Sequence, residues 1–249
     1  MLTKNELSKK LSSIKIREKY VIIHSDISGL VFRNFSLKDL WSLIFNSLGK
    51  EKTYILPTFT FDFYKKKIWD YNYSKSETGL LSEFFRLKIA KKRTIHPLHS
   101  VAIYSKNPIK FLNHNSKTSF GKGSIWEWVS NSKNVCNLAL GIGLDGGASF
   151  CHYAEEYSKV NYRSIIDLQG KVYDKDKKLV KKKFQYFSRK KKLNIFNDWS
   201  RCERELKKSN LIKTYSISKI KYQILKMNTY KVTRFITKKL RNNPKYLTK

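Results

Sequence analysis

Tyr20-Val-Ile-Ile-His24, followed by Ser25-Asp-Ile-Ser-Gly29, is the stretch on which the fold turns. Its three consecutive β-branched residues read as a short buried strand, and the polar residues behind them as a turn at the strand end. Ser36-Leu-Lys-Asp39 then has the form of a capping box with Asp39 at the third helical position. Leu37, Leu40, Trp41, Ile44 and Leu48 recur at helical spacing, and Gly49 is a natural stop. Thr53-Tyr-Ile-Leu-Pro57 is a second run of strand length. Strand, loop, helix and strand in this order predict an α/β core.

Working outward, residues 3–18 read as a first helix capped by Thr3 or Asn5. Residues 58–76, aromatic and polar, read as a long surface loop, and Thr78 to Arg86 as a helix. Lys91 to Pro97 is expected as a loop before a strand at Val101-Ala-Ile-Tyr104, and Ile109 to His114 as a short helix. Ser124 opens another helix, and Asn134 to Leu140 reads as a third buried strand. After the glycine-rich stretch Gly141 to Gly147, Ser149 is expected to cap a helix through Tyr157. Val160 to Leu168 and Val180 to Tyr186 are expected to pair as a hairpin, and the stretch from Asn197 onward reads as helical.

The chain has 249 residues, 52 of them basic and 19 acidic, for a net charge of +33. Such an excess points to a polyanionic partner, or to a Lys-, Asn- and Ile-rich composition with no binding role. A nucleic-acid or polyanion-binding protein is the alternative this charge raises. The runs Lys177 to Lys183 and Arg189 to Lys192, with Phe184, Tyr186 and Phe187 between them, have the make-up of a stacking platform for single strands. Alternating exposed lysines on a hairpin are the commoner explanation, and no RNA-binding signature accompanies them, which argues against nucleic acid as partner. The cysteines, Cys136, Cys151 and Cys202, are odd in number and widely spaced, which suits a reducing compartment. The N-terminal stretch has no apolar core of a signal peptide, and no run approaches the length of a membrane span, so a cytoplasmic protein is expected.

Gly141-Ile-Gly-Leu-Asp-Gly146 matches the G-x-G-x-x-G dinucleotide pattern. It sits far from the N-terminus, and no βαβ unit with an acidic residue about 20 positions on follows it. A turn that brings backbone close to a ligand is the better reading. The turn delivers Asp145 and then His152-Tyr-Ala-Glu155. On a helix, positions i and i+3 share a face, so the carboxylate can hold the imidazole in one tautomer for general-base work. A simple surface pair remains open on spacing alone. A di-metal site would need a second His-x-x-Glu copy, and none occurs, so no metal is expected. Arg93-Thr-Ile-His-Pro-Leu-His-Ser100 offers Arg93 and Ser100 to a phosphate, or is an ordinary polar loop.

In order along the chain, Ile23 to Leu30, Leu56-Pro-Thr-Phe-Thr60, Thr78 to Arg86, Arg93 to Ala102 and Leu140 to Glu156 resemble the aminoglycoside 3-N-acetyltransferase family. The resemblance is carried by residues 20–160, with a basic portion at 161–249, and suggests one N-acyltransferase domain over 1–249. It implies an α/β/α sandwich of that family's type, distinct from the GNAT fold. It also implies an enzyme that moves an acetyl or other short acyl group from acyl-CoA to the amine of an amino sugar, without a metal. By position, His152 becomes the base, Glu155 its support, and Asp145 a contact to the same network or to the cationic acceptor. Ser25, Ser28, Gly29, Leu30 and Thr58 would approach the acetyl-CoA pantetheine and pyrophosphate, while Arg93, Ser100 and Val101 would line its groove. Gly121-Lys-Gly-Ser-Ile125 departs from the family's Gly-x-x-Ser-Pro element. Members that resist antibiotics tend to carry acidic acceptor clefts. Here Asp62, Asp70, Glu77, Glu83 and Glu127 are the carboxylates that could form one, with Asp62 and Glu83 as candidate acceptor contacts. The positive charge favours an anionic acceptor, a nucleotide-linked amino sugar of surface-glycan (lipopolysaccharide) biosynthesis, over an aminoglycoside in antibiotic resistance. It would also suit an acidic acyl-carrier protein as donor, and a homo-oligomer is compatible with the sequence.

Overall fold

The computed structural model describes residues 2–31, 35–106, 116–190, 192, 194–217 and 220–249. In chain order the elements are α1 (Lys4–Ser12), β1 (Tyr20–Ser25), α2 (Ser28–Val31), α3 (Leu37–Leu48), β2 (Thr53–Pro57), α4 (Phe63–Lys66), β3 (Ile68–Asp70), α5 (Leu80–Lys88), β4 (Lys92–Arg93) and β5 (Val101–Tyr104). They continue as α6 (Ile125–Asn131), β6 (Val135–Leu140), α7 (Leu144–Gly147), α8 (Cys151–Tyr157), β7 (Arg163–Leu168), β8 (Lys171–Tyr173), β9 (Phe184–Arg189), α9 (Ser200–Lys208), β10 (Ile212–Ile217), β11 (Tyr222–Asn228) and α10 (Thr229–Asn242).

Seven strands form one mixed sheet in the order β10-β11-β6-β1-β2-β5-β4. β1 runs parallel to β2 and β6, while β5 and β11 pair antiparallel to β2 and β6. Alternation along the strands splits the core in two. Val21 and Ile23 pack with Leu7 and Leu11 of α1, Leu40, Trp41 and Ile44 of α3, and Leu81 and Phe85 of α5. Ile22 faces the other layer, with Trp126 of α6, Ala154 of α8, Leu206 of α9, and Val232 and Ile236 of α10. The result is the α/β/α sandwich. A smaller third core, holding Phe63, Trp69, Leu98, Val172 and Phe184, lies under β3 and β8.

Local capping follows the sequence in three places. Thr3 and Glu6 form a reciprocal capping box, Ser36 Oγ accepts from Asp39 N at 3.1 Å, and Ser124 Oγ accepts from Glu127 N at 3.0 Å. The first helix nonetheless stops at Ser12, short of residue 18. Three expectations fail more substantially. The 58–76 stretch is no surface loop: it folds into α4 and β3 and buries Phe59, Phe63 and Trp69. The hairpin partner of β7 begins at Phe184, four residues later than expected, because Val180 N donates to Val172 O of β8 at 2.8 Å and is held there instead. The stretch beyond Asn197 is not all helix, since β10 and β11 extend the main sheet. The expected helix at Ile109 to His114 lies outside the described residues. Phe184 and Phe187 are buried in core clusters, so they do not form an exposed platform with the lysines around them.

Candidate active site

The parallel strands β1 and β6 end side by side at Ser25 and Leu140, where a doubly covered sheet opens its binding crevice. Gly141 turns the chain there with φ +70°, and a Cβ on it would lie 2.3 Å from Asp26 O and 2.4 Å from the Tyr222 ring. Only glycine satisfies both demands. Tyr222 OH in turn donates to Asp26 O at 2.9 Å, tying β11 to the β1 loop. The crevice deepens into a cavity of about 630 Å³, with His24, Ser25, Asp145, Ser149 and His152 on its walls.

His152 lies on α8 between Phe120 and Trp199, with ring centroids 4.9 Å and 5.7 Å away. Its Nδ1 is 2.5 Å from Glu155 Oε2. Glu155 is fully buried. Its other oxygen accepts from Tyr162 OH at 2.8 Å and Asn197 Nδ2 at 3.0 Å, and Arg163 Nε lies 3.1 Å from Oε2. Burial on its own would raise this carboxyl. The His152 ring, the Arg163 guanidinium and the Tyr162 hydroxyl outweigh burial and hold it at about 2. A permanent carboxylate accepts and never donates, so Nδ1 carries the proton. In the neutral ring Nε2 is then a free base, and among the described residues no protein group hydrogen-bonds to it. Arg163 is itself fixed, with Nη2 donating to Asn197 Oδ1 at 2.7 Å.

Across the cavity, His24 Nε2 accepts from Ser149 N–H at 3.3 Å and lies 3.0 Å from Ser149 Oγ. Burial lowers this imidazole to about 4, with Asn137 opposing, so it is neutral wall and no base at pH 7. Ser149, expected as a helix cap, is used here instead, and α8 begins at Cys151 after an uncapped Phe150. His99 also lines the cavity, with Nδ1 2.8 Å from Ser119 Oγ, and burial holds it well below its ordinary value.

The structure brings His152, Glu155, Asp145 and Ser25 together and leaves other expected residues elsewhere. Arg93 is buried behind the cavity wall, and all five of its N–H groups are engaged. Nε donates to Ser100 Oγ at 3.1 Å, Nη1 to the carbonyls of Ser74 and Tyr71 at 2.6 and 3.2 Å, and Nη2 to Thr58 O and Thr60 Oγ1 at 3.0 and 3.2 Å. None is left for a phosphate. Thr58 and Ser100 share a 3.0 Å hydrogen bond in the same buried knot, and Val101 is buried within β5. Ser28 is exposed, with its hydroxyl on Asp26 Oδ1, Gly29 follows it in α2, and Leu30 is buried in the core. Asp62 pairs with Lys66, and Glu83 with Arg86, away from the cavity. Of the five candidate acceptor carboxylates only Glu77 reaches the wall. Tyr162, Arg163, Asn197 and Trp199 escaped sequence reading, because nothing in an isolated Asn or Tyr marks a partner tens of residues away. Among the described residues no His, Cys, Asp and Glu cluster could hold a metal, and no helix is long and apolar enough to cross a membrane.

Comparison with known proteins fits this geometry. No match arises among curated sequences. Among solved structures the chain is similar to YokD protein from Bacillus subtilis, with 18% identity, 98% of this chain and 95% of the other covered, and a TM-score of 0.76. It is similar to AAC-IIIb in a binary complex with CoASH, with 14% identity, 97% of each chain covered and a TM-score of 0.75. It is also similar to a histidine-to-alanine variant of AAC(3)-IVa in complex with a gentamicin, with 20% identity, 98% and 91% covered and a TM-score of 0.73. These likenesses establish the fold. The family model for aminoglycoside 3-N-acetyltransferase matches residues 22–241, past the boundary at 160 where the quoted segments stop. With nearly the whole chain matched, and an imidazole–carboxylate pair at the mouth of its sheet, the protein belongs to the aminoglycoside 3-N-acetyltransferase family of acyl-CoA-dependent N-acyltransferases.

Proposed function

We propose that the chain acetylates the amine of a nucleotide-linked amino sugar from acetyl-CoA, with His152 as general base. The carrying observation is that His152 lines the cavity with no hydrogen bond to its Nε2 among the described residues, while a buried carboxylate fixes its Nδ1. The substrate amine must lose a proton as its lone pair attacks the thioester carbonyl. His152 Nε2 takes that proton, Glu155 and Arg163 hold the resulting imidazolium in place, and the proton then goes to the departing thiolate. The products are the amide and free thiol, with no acyl-enzyme. Ser25, Pro57, Thr78 and Ser82 line the same cavity as His152 and are the candidates to receive a pantetheine arm, and AAC-IIIb with CoASH supports that donor. Asp145 and Glu77 are on hand for the ammonium of the acceptor.

The scarcity of carboxylates at the wall favours an acceptor that is not a polycation, as in surface-glycan synthesis. An aminoglycoside as acceptor, with antibiotic resistance as the outcome, is the second reading, favoured by the gentamicin-bound relative. Residues 1–249 work as one domain in this reading, because Asn197 from the basic portion braces Glu155. The free, buried Cys136, Cys151 and Cys202 suit a cytoplasmic setting. Thiol release from acetyl-CoA, measured against nucleotide-linked amino sugars and aminoglycosides, tests the reading. Turnover is expected with the former and should fall by about 10²–10⁴-fold in His152→Ala with CoA binding retained. No turnover with either class, or full activity in His152→Ala, overturns it.

A further inference from the structure

A second cavity, of about 700 Å³, adjoins the first. The two share Tyr186, Arg189 and Phe196 on their walls and so are contiguous there. Their charge differs. The catalytic cavity carries Asp145 and Glu77 beside Arg163 and the shared Arg189, whereas the second, among the described residues, is lined by Arg189 and Lys190 with no carboxylate.

Arg189 is the informative residue. It stands opposite Arg163 in the antiparallel β7–β9 pair, so the two guanidiniums issue from the same sheet face. Arg163 is neutralised by Glu155. Arg189 has no carboxylate against it among the described residues; its guanidinium lies against the Phe196 ring, 5.7 Å from Cζ. Phe196 and Tyr64, both on the cavity wall, are exposed, and Tyr64 stacks edge-on against Tyr186 at 5.9 Å. A forked cation, an ammonium and exposed aromatic rings, in the cavity next to the one that holds His152, match a phosphate and a planar ring.

Resting on the amino-sugar reading above, we propose that this second cavity is the nucleotide subsite of the acceptor. Arg189 and Lys190 hold the pyrophosphate of a nucleoside-diphosphate sugar, and its base lies against Phe196 and Tyr64. The sugar then reaches back into the catalytic cavity, where its amino group meets His152 with Asp145 and Glu77 on the same wall. The pyrophosphate of the acyl donor has the same chemistry, and the test separates the two.

Calorimetric binding of UDP, dTDP, GDP and CDP to the wild-type chain is compared with Arg189→Ala, Phe196→Ala and the exposed-surface control Lys183→Ala, with CoA titrated in parallel. At least one nucleoside diphosphate is expected to bind, about tenfold more weakly in Arg189→Ala and partly restored in Arg189→Lys. Binding to Lys183→Ala, and CoA binding to every variant, should be unchanged. If Arg189→Ala weakens CoA instead, the cavity belongs to the donor and the proposal falls. If no nucleotide binds, or Arg189→Ala binds as wild type, it falls as well. In each of these cases thiol release with other amines can persist, so the acyltransfer reading is judged separately.

Discussion

Glu155 is fully buried, and it is His152, its hydrogen-bond partner, that lines the cavity. Three groups, the His152 ring, the Arg163 guanidinium and the Tyr162 hydroxyl, hold it as a carboxylate at about 2 despite that burial. A lowered carboxyl contributes stability above its unfolded value of about 4.3, and loses it as pH falls toward the folded value. Chemical denaturation of wild type and Glu155→Gln as a function of pH should therefore show the largest wild-type advantage at neutrality. The gap should close progressively below about pH 4. A gap independent of pH contradicts this assignment. At this scale the sequence was legible only where partners are near in the chain. The His152–Glu155 pair could be seen because one helical turn joins them, while Asn197 and Tyr162 reach the same carboxylate through the fold. Arg93 shows the opposite error: its neighbours in sequence suggested a phosphate ligand, yet its five donors serve the backbone of residues 58–74 and the hydroxyls beside it. A guanidinium that braces a loop and one that binds a ligand look alike until their partners are known.

The elements that build the site are the strand ends of β1 and β6 and the turn at Gly141. Gly141→Ala places a Cβ against Asp26 O in a left-handed conformation. The expected cost is at least ~2 kcal/mol in equilibrium unfolding, with loss of activity beyond what the stability change explains, because His152 is delivered by that turn. A variant with unchanged midpoint and turnover refutes the role given to it. β1, α3 and β2 announced themselves through consecutive β-branched residues, helical periodicity and a capping serine. β10 and β11 did not. Ile212-Lys-Thr-Tyr-Ser-Ile217 buries only its ends as an edge strand, and Tyr222, Ile224, Leu225 and Met227 alternate imperfectly around lysine. Long lysine stems lie along a sheet as readily as along a helix, which leaves such a segment's period unreadable.

At the scale of the whole molecule, a net charge of +33 opposes the compact state through self-repulsion. Raising ionic strength from about 0.05 M to about 0.5 M with a non-binding salt should raise the thermal midpoint, since the Debye length falls below the spacing of most surface charges. A midpoint that drops or stays level means that local ion pairs such as Lys239–Glu205 dominate instead. The far end of the chain has a different importance. Asn197, which steadies Glu155, also donates to Leu247 O at 3.4 Å and bridges Thr248, while α10 shields α8 and β11 closes the flank of β6. On the ribosome, therefore, the nascent protein exposes the unpaired edge of β6 and an unbraced His152 helix until residues 222–248 have been made. A message cut short in that window yields a chain with an open β6 edge, a template for aggregation and a client for chaperones or proteolysis.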